Sequence, residues 1–405
     1  MIRHGIRQTE FGAGLADGCP DPEALWSRMV NELNALENPE RHLGLHRGFL
    51  HALHDRDPAA CNRILDEAME NKHLGSIFPD LQIAAVVDCS GIDRLRATLE
   101  RRVAPAWAYG NLATARRSEG IEPAYLQELL LGIAALPDGV SVALDILHMR
   151  LYADRQEKRD YAPELMEVGR HLICEYPFEQ CDGNNGRDYN LGKLAAACFR
   201  GAEGVEPSRK LMCRLLEMFE RRTLYPYRCD NILTGLLKAQ PSAMLDEMLD
   251  ALGSDLDTLT EFFERASLER KNLADAIPDD VLLEWCYANP QVRFPAAARI
   301  VSLSTRSDQS SAVHWTAIAL QLLDGSPDPA AVIGVFFARA MPHMWSGSLA
   351  AMMANHAELM GQLPLDRSAA VASAVRDGLV SLSKEIDAAQ RWETMRERGS
   401  NESFE

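Results

Sequence analysis

The densest run of chemistry-bearing residues is "CDGNNGRDYNLGK", Cys181 to Lys193, where glycines, asparagines and two aspartates end in Gly-Lys. Phosphate-cradling and calcium-binding loops use the same residue types. A Walker A loop needs Gly, four residues, then Gly-Lys-Ser/Thr, so that consecutive backbone N–H groups curl around a phosphate. Here five residues separate Gly186 from Gly192, and Leu194 follows Lys193 where a magnesium-binding hydroxyl belongs. A calcium loop counted from Asp182 has Gly186 fifth, Arg187 sixth and Lys193 twelfth. An ammonium cannot stand in for the bidentate carboxylate of that last position. The stretch therefore predicts a turn leading into the helix "YNLGKLAAACFRGA".

Histidines cluster in "RHLGLHRGFLHALHD", at His42, His46, His51 and His54. On a helix turning about 100° per residue, His42 and His46 share one face, and His51 and His54 lie on another, about 80° away. Four such ligands do not converge on one ion, and the metal-helix motif His-Glu-x-x-His is absent. No cofactor or metal is expected. Neither "DCSGIDR" nor "MWSGSLA" spells the Gly-x-Ser-x-Gly nucleophile turn. Cys174, Cys198, Cys213 and Cys286 lie in apolar helical stretches and read as core. An arrangement that permits acid–base chemistry is "LDILHMR", where Asp145 and His148, three residues apart, share a helix face near Arg150. It supports an alternative reading, an enzyme of unknown class with a pocket between helices.

Binding chemistry appears in "FERRTLYPYRCDN", Phe219 to Asn231, which interleaves aromatic and basic residues. Arg221, Arg222, Tyr225 and Tyr227 are candidate partner contacts. The competing reading places the arginines against the negative end of a helix and the tyrosines inside a turn. Trp345 and Ser346 are two further candidates, with Ser346 expected to cap the next helix and Trp345 to staple its start.

Proline announces the elements that position these residues. Pro22, Pro58, Pro123, Pro163, Pro207, Pro241, Pro278 and Pro329 each precede apolar residues at three- and four-residue spacing. Proline suits a first helical position because its missing N–H would be unpaired there anyway. In five cases an acidic residue precedes it, Asp21, Asp57, Glu122, Glu206 and Asp328, positioned to meet the free N–H groups. The steps between these prolines are 36, 65, 40, 44, 34, 37 and 51 residues. Most match the period of two-helix repeats. The long step predicts an extra helix or pair around "GIDRLRATLERRVAPAWAYGNLATA". "VSVALDILHMRLYA" and "SSAVHWTAIALQLL" read as further helices, and no segment alternates with period two long enough to predict a sheet.

The expected fold is all-α, an α-solenoid of antiparallel helix pairs that is HEAT/armadillo-like with irregular repeats. Residues 1–20 read as an irregular segment, 21–365 as the array and 366–405 as a charged capping helix and tail. A formal charge of −17 disfavours nucleic acid as a partner. The longest apolar run, Leu129 to Leu136, is far short of the roughly 20 residues that span a bilayer. Nine scattered cysteines without a Cys-x-x-Cys pair, and a start lacking an apolar signal core, point to a cytoplasmic chain with reduced thiols.

Several phrases carry a resemblance: "GVSVALDILHMRLYADR", "ELMEVGRHLI", "DYNLGKLAAAC", "DDVLLEWCYANP" and "HMWSGSLAAMMANHAELMGQL". With these the chain resembles the carboxy-terminal helical region of large bacterial proteins, some of which carry a STAND- or NACHT-type NTPase associated with anti-phage defence. The resemblance implies a sensor or scaffold binding a protein partner, with an NTPase module encoded nearby. No P-loop or Walker B strand is present, so NTP hydrolysis is not implied for this chain.

Overall fold

A computed structural model describes residues 7–35, 43–180, 185–252, 260, 262–263, 272–306, 313–340, 347–363 and 369–402. Its architecture is all-α. Prolines at 22, 58, 123, 163, 241 and 329 each occupy the first residue of a helix. The preceding aspartates act as caps: Asp21, Asp57 and Asp328 accept from the N–H groups of Ala24, Ala60 and Ala331 at 3.0, 3.0 and 3.1 Å. Glu122 makes no such bond. Its extra methylene carries the carboxylate past the N–H that an aspartate reaches.

Residues 1–199 form one compact unit. In it lie α1 (Gln8–Gly18), α2 (Pro22–Asn34), α3 (Gly44–Arg56), α4 (Pro58–Glu70), α5 (Phe78–Ala85) and α6 (Cys89–Arg101). A 3-10 segment (Ala106–Ala113), α7 (Pro123–Ala134), α8 (Gly139–Gln156), α9 (Pro163–Cys174) and α10 (Asn185–Cys198) complete it. Helix α7 touches both α8 and α9, and α8 touches both α9 and α10. That pattern belongs to stacked helix pairs, in which no pair covers its own apolar stripe.

Helix α1 corrects the expectation of an irregular start. Its Gly12, a poor helix former on its own, permits a close crossing with Gly48 of α3 instead. A Cβ on Gly12 would meet the Leu45 carbonyl, and one on Gly48 would meet the Thr9 carbonyl. The backbones of α1 and α3 touch there, a gain invisible to local propensity. Helix α10 starts at Asn185, four residues before the expected Tyr189, while positions 181–184 lie outside the described residues.

Residues 200–405 form the second unit. It holds α11 (Ala202–Glu220), α12 (Asp230–Ala239), α13 (Pro241–Leu252), α14 (Asp279–Ala288) and α15 (Pro290–Ile300). After two short strands come α16 (Ala317–Gly325), α17 (Pro329–Arg339), α18 (Leu349–Gly361) and α19 (Ala369–Glu402). Two proline assignments shift. Gly201, at φ 80, turns the chain so that α11 begins at Ala202 and Pro207 lies inside it, while Pro278 is the N-cap of α14 rather than its first residue.

The strands correct the expectation of no sheet. β1 (Ser304–Arg306) and β2 (Val313–Trp315) pair antiparallel, with Thr305 opposite His314. Three residues are too few to display alternation, and β2 occupies what reads as the start of a helix. Trp315 anchors the ribbon, its indole N–H donating to the Leu359 carbonyl at 2.8 Å and its ring lying 5.2 Å from Phe336. The N-cap of α18 is Ser348, which accepts from Ala351 N–H at 3.0 Å; the candidates Trp345 and Ser346 lie outside the described residues.

Polar ties repeat along both units. One set joins residues 37 to 41 apart: Arg56 to the carbonyls of Ala16, Asp17 and Cys19, Arg63 to Glu23, Arg116 to Glu157, Arg209 to Glu247, and Arg339 to those of Ala298 and Val301. A second set spans 28 to 34 residues, including Arg94 to Asp66 and Asn62 and Arg117 to Ile83 and Ala84. The longer separation matches the common proline step, so chemistry and packing share one period.

Candidate functional site

The stretch from Phe219 to Asn231 folds into a tightly determined turn between α11 and α12. Arg222 sits in the left-handed region at φ 57, its N–H donating to the Phe219 carbonyl at 3.0 Å, while Thr223 N–H donates to the Met218 carbonyl at 3.0 Å. These two bonds make a Schellman ending with arginine where glycine is usual. Arg221 pairs with Glu217 at 3.4 Å, both side chains exposed. The chain then drops Leu224 and Cys229 into the core, 3% and 1% exposed. A 3-10 turn (Pro226–Arg228) bridges them, closed by Arg228 N–H donating to the Tyr225 carbonyl at 2.9 Å.

With Leu224 and Cys229 held inside, Tyr225 and Tyr227 point out, 46% and 37% exposed. Their rings stack at 5.6 Å and 19°, and the Arg228 guanidinium carbon lies 6.0 Å from the Tyr225 centroid. The reading of the tyrosines as filling of the turn is therefore reversed: the aliphatic and thiol groups fill it. Arg228, which the sequence did not single out, joins the pair. A stacked aromatic pair beside a guanidinium on a fixed turn offers large contact area at small cost in side-chain freedom.

Asp145 and His148 do share a face of α8, and α10 brings the second half of the Cys181–Lys193 stretch against it. Asn190 and Arg187 reach Asp145, and Lys193 lies near His148 while also sitting 5.0 Å over the Tyr189 ring. Burial pushes the Asp145 carboxyl up, opposed by Arg187, His148 and the hydrogen bond with Asn190. Burial pushes His148 down, opposed by Asp145 and reinforced by Lys193. The Asp145 residue as a whole stays exposed, so its upward push is a direction only. The cavity beside Asp145, Asn190 and Tyr176 measures about 10 Å³, room for about one water. Arg150 is elsewhere: buried, it bonds Asp154 and the carbonyls of Ser118 and Ile121.

Of the clustered histidines, His46 is fully buried, edge-on to Trp26 at 5.5 Å, with Nε2 3.2 Å from the Met29 carbonyl. A carbonyl only accepts, so Nε2 carries the proton and Nδ1 is bare. Burial lowers its pKa to about 4. His51 is exposed, His54 intermediate, and His42 lies outside the described residues. Among the described residues no group of three His, Cys, Asp or Glu side chains is placed to hold a metal. Cys198 and Cys286 are core, their thiols raised to about 12 by burial, but Cys213 is exposed, its thiol 3.1 Å from Glu247. Its position on the outer face of α11 escapes a reading that counts only neighbouring apolar residues. No helix among the described residues is long and apolar enough to cross a membrane.

Comparison with protein-family models, curated proteins and solved structures gives no match to this chain.

Proposed function

We propose that this protein is a non-enzymatic helical-repeat scaffold that docks a protein partner through the turn carrying Tyr225, Tyr227 and Arg228. The observation that carries the reading is the stacked, solvent-facing tyrosine pair beside Arg228, held out by the buried Leu224 and Cys229. Tyrosine and arginine are the residue types that dominate binding energy at the centres of protein interfaces. Stacked helix pairs, an α-solenoid in the full reading, supply a rigid frame on which such a turn keeps its shape. The resemblance to the helical regions of STAND- and NACHT-type proteins supports a sensor or scaffold role in a bacterial cytoplasm, working beside a separately encoded NTPase. The net charge of −17 favours a protein over a nucleic acid as the occupant.

The test is capture of partners from host lysate by the full chain and by a Tyr225→Ala/Tyr227→Ala double variant. Both side chains are exposed, so the variant keeps its unfolding midpoint. A protein recovered by the parent and lost by the variant supports the reading; identical recoveries by the two overturn it.

A further inference from the structure

A second feature, independent of the tyrosine turn, lies in the first unit. A cavity of about 210 Å³ is lined by Thr9 of α1, Arg47 and His51 of α3, Ala84 of α5, and Asn111, Thr114, Ala115 and Arg117 of the segment after α6. Its size sits just below the range of about 300–1,000 Å³ usual for small-molecule sites. Apart from Ala84 and Ala115, every lining side chain is polar or cationic.

The charges do not cancel. Arg47 donates Nε and Nη2 to the Asp80 carboxylate, both at 2.8 Å, and Asn111 donates to the same group. Asp80 is thus committed, and Arg47 keeps Nη1. Arg117 is half-buried, yet the acceptors its Nη1 meets are main-chain carbonyls, those of Ile83 and Ala84, the latter at 3.2 Å. No carboxylate among the described residues lies within ion-pair distance of it. The nearby charges are Asp80, which is already paired with Arg47 but still favours the Arg117 cation, and Arg47, which repels it; burial is the largest effect and pushes the Arg117 pKa down. Two guanidiniums against one carboxylate leave a net positive cavity in a strongly acidic protein. A half-buried cation without a counter-ion is costly, and a bound anion relieves it.

The loop that presents Arg117 is held in an uncommon shape. Ala115 and Arg116 are both left-handed, at φ 49 and 61. Each costs roughly 1–2 kcal/mol for a residue with a Cβ. Arg116 locks the loop by pairing with Glu119 and Glu157, Thr114 bonds back to the Asn111 carbonyl at 2.9 Å, and Arg117 N–H donates to the Thr114 carbonyl at 3.1 Å. Strain that the surroundings hold in place is common at ligand sites. Arg47 and His51, four apart on α3, share a face one turn from each other.

We infer that this cavity binds the phosphoryl group of a small metabolite, with Arg117 and Arg47 as its charge partners and His51 and Thr9 as further hydrogen-bond donors. A dianionic group suits it better than a carboxylate. Such a group brings three acceptor oxygens and two negative charges to a site built around two guanidiniums.

The experiment is calorimetric titration of the full chain with inorganic phosphate, pyrophosphate and acetate. Saturable binding of phosphate or pyrophosphate is expected, weakening with added salt. Arg117→Gln should weaken it roughly tenfold or more, as loss of a charge-assisted pair does. Because Arg117 also holds two carbonyls, His51→Ala, at an exposed position with no fold role, serves as the second variant and should weaken binding several-fold. No saturable binding of either phosphate, equal affinity for acetate, or parent-like affinity in both variants would overturn the assignment.

Discussion

Arg150 and Arg117 make the same kind of bond in different company. Each reaches main-chain carbonyls about thirty residues earlier, Ser118 and Ile121 for one, Ile83 and Ala84 for the other. Arg150 also holds Asp154 at 3.1 Å, a carboxylate that Arg159 joins at 2.8 Å from the surface. Its charge is answered inside the fold. Arg117 has no such answer among the described residues. The contrast separates an arginine that finishes a structure from one left open to a ligand.

Removing one partner from the closed case should produce the largest effect. Asp154→Ala leaves Arg150 buried and uncompensated, at a cost of about 3–5 kcal/mol. Urea denaturation should show the midpoint fall with little change in slope. Arg117→Gln deletes a cation that makes no ion pair among the described residues and should cost far less; a loss as large as that of Asp154→Ala would erase the distinction between the two sites.

His46 meets burial in a third way, by staying neutral. Its pKa is about 4 in the fold against an ordinary 6.5, so the folded form refuses a proton that the unfolded chain accepts. Its contribution is fully present above pH 6.5 and is lost progressively as pH falls toward 4. The loss reaches about 3 kcal/mol at most. Replacing it by phenylalanine should flatten stability across that window, read as unfolding midpoints at several pH values. An unchanged slope would mean that other groups set the acid limb.

Asp80→Asn gives an effect of about 1.5–3 kcal/mol, that of a hydrogen bond to a charged group. It sharpens the comparison in the opposite direction. With the carboxylate gone, Arg47 loses its ion-pair partner and Arg117 the attraction of Asp80, so the variant should be less stable yet bind pyrophosphate more tightly. Lower stability with unchanged or weaker binding would show that Asp80 does not offset the cavity's charge.

What the sequence revealed follows from how far each signal reaches. Proline at 22, 58, 123, 163, 241 and 329 marks helix starts because the rule is local, a fixed φ and a missing donor. Helix α1 was hidden because Gly12 and Gly48 act only through the opposite backbone. Composition located the Phe219–Asn231 stretch, but only the buried Leu224 and Cys229 decide which way Tyr225 and Tyr227 face. Asp145 and His148 were visible as a pair within one helix. Their neighbours Arg187, Asn190 and Lys193 arrive from another helix, which no local spacing encodes. The cavity at Arg117 gathers residues from α1, α3, α5 and a loop, and its defining property, a missing partner, has no sequence signature.

The smallest effects test the local rule itself. Asp57 precedes Pro58 as Glu122 precedes Pro123, and the two pairs look alike in sequence. The Asp57 carboxylate accepts from Ala60 N–H at 3.0 Å, whereas Glu122 caps nothing. Asp57→Ala should therefore cost about 1 kcal/mol, the usual worth of a helix cap, and Glu122→Ala a few tenths from the helix dipole alone. Thermal unfolding of the two variants side by side resolves that gap. Equal losses would place the benefit of the acid in its charge, and the charge would then serve as well one methylene farther from the N–H.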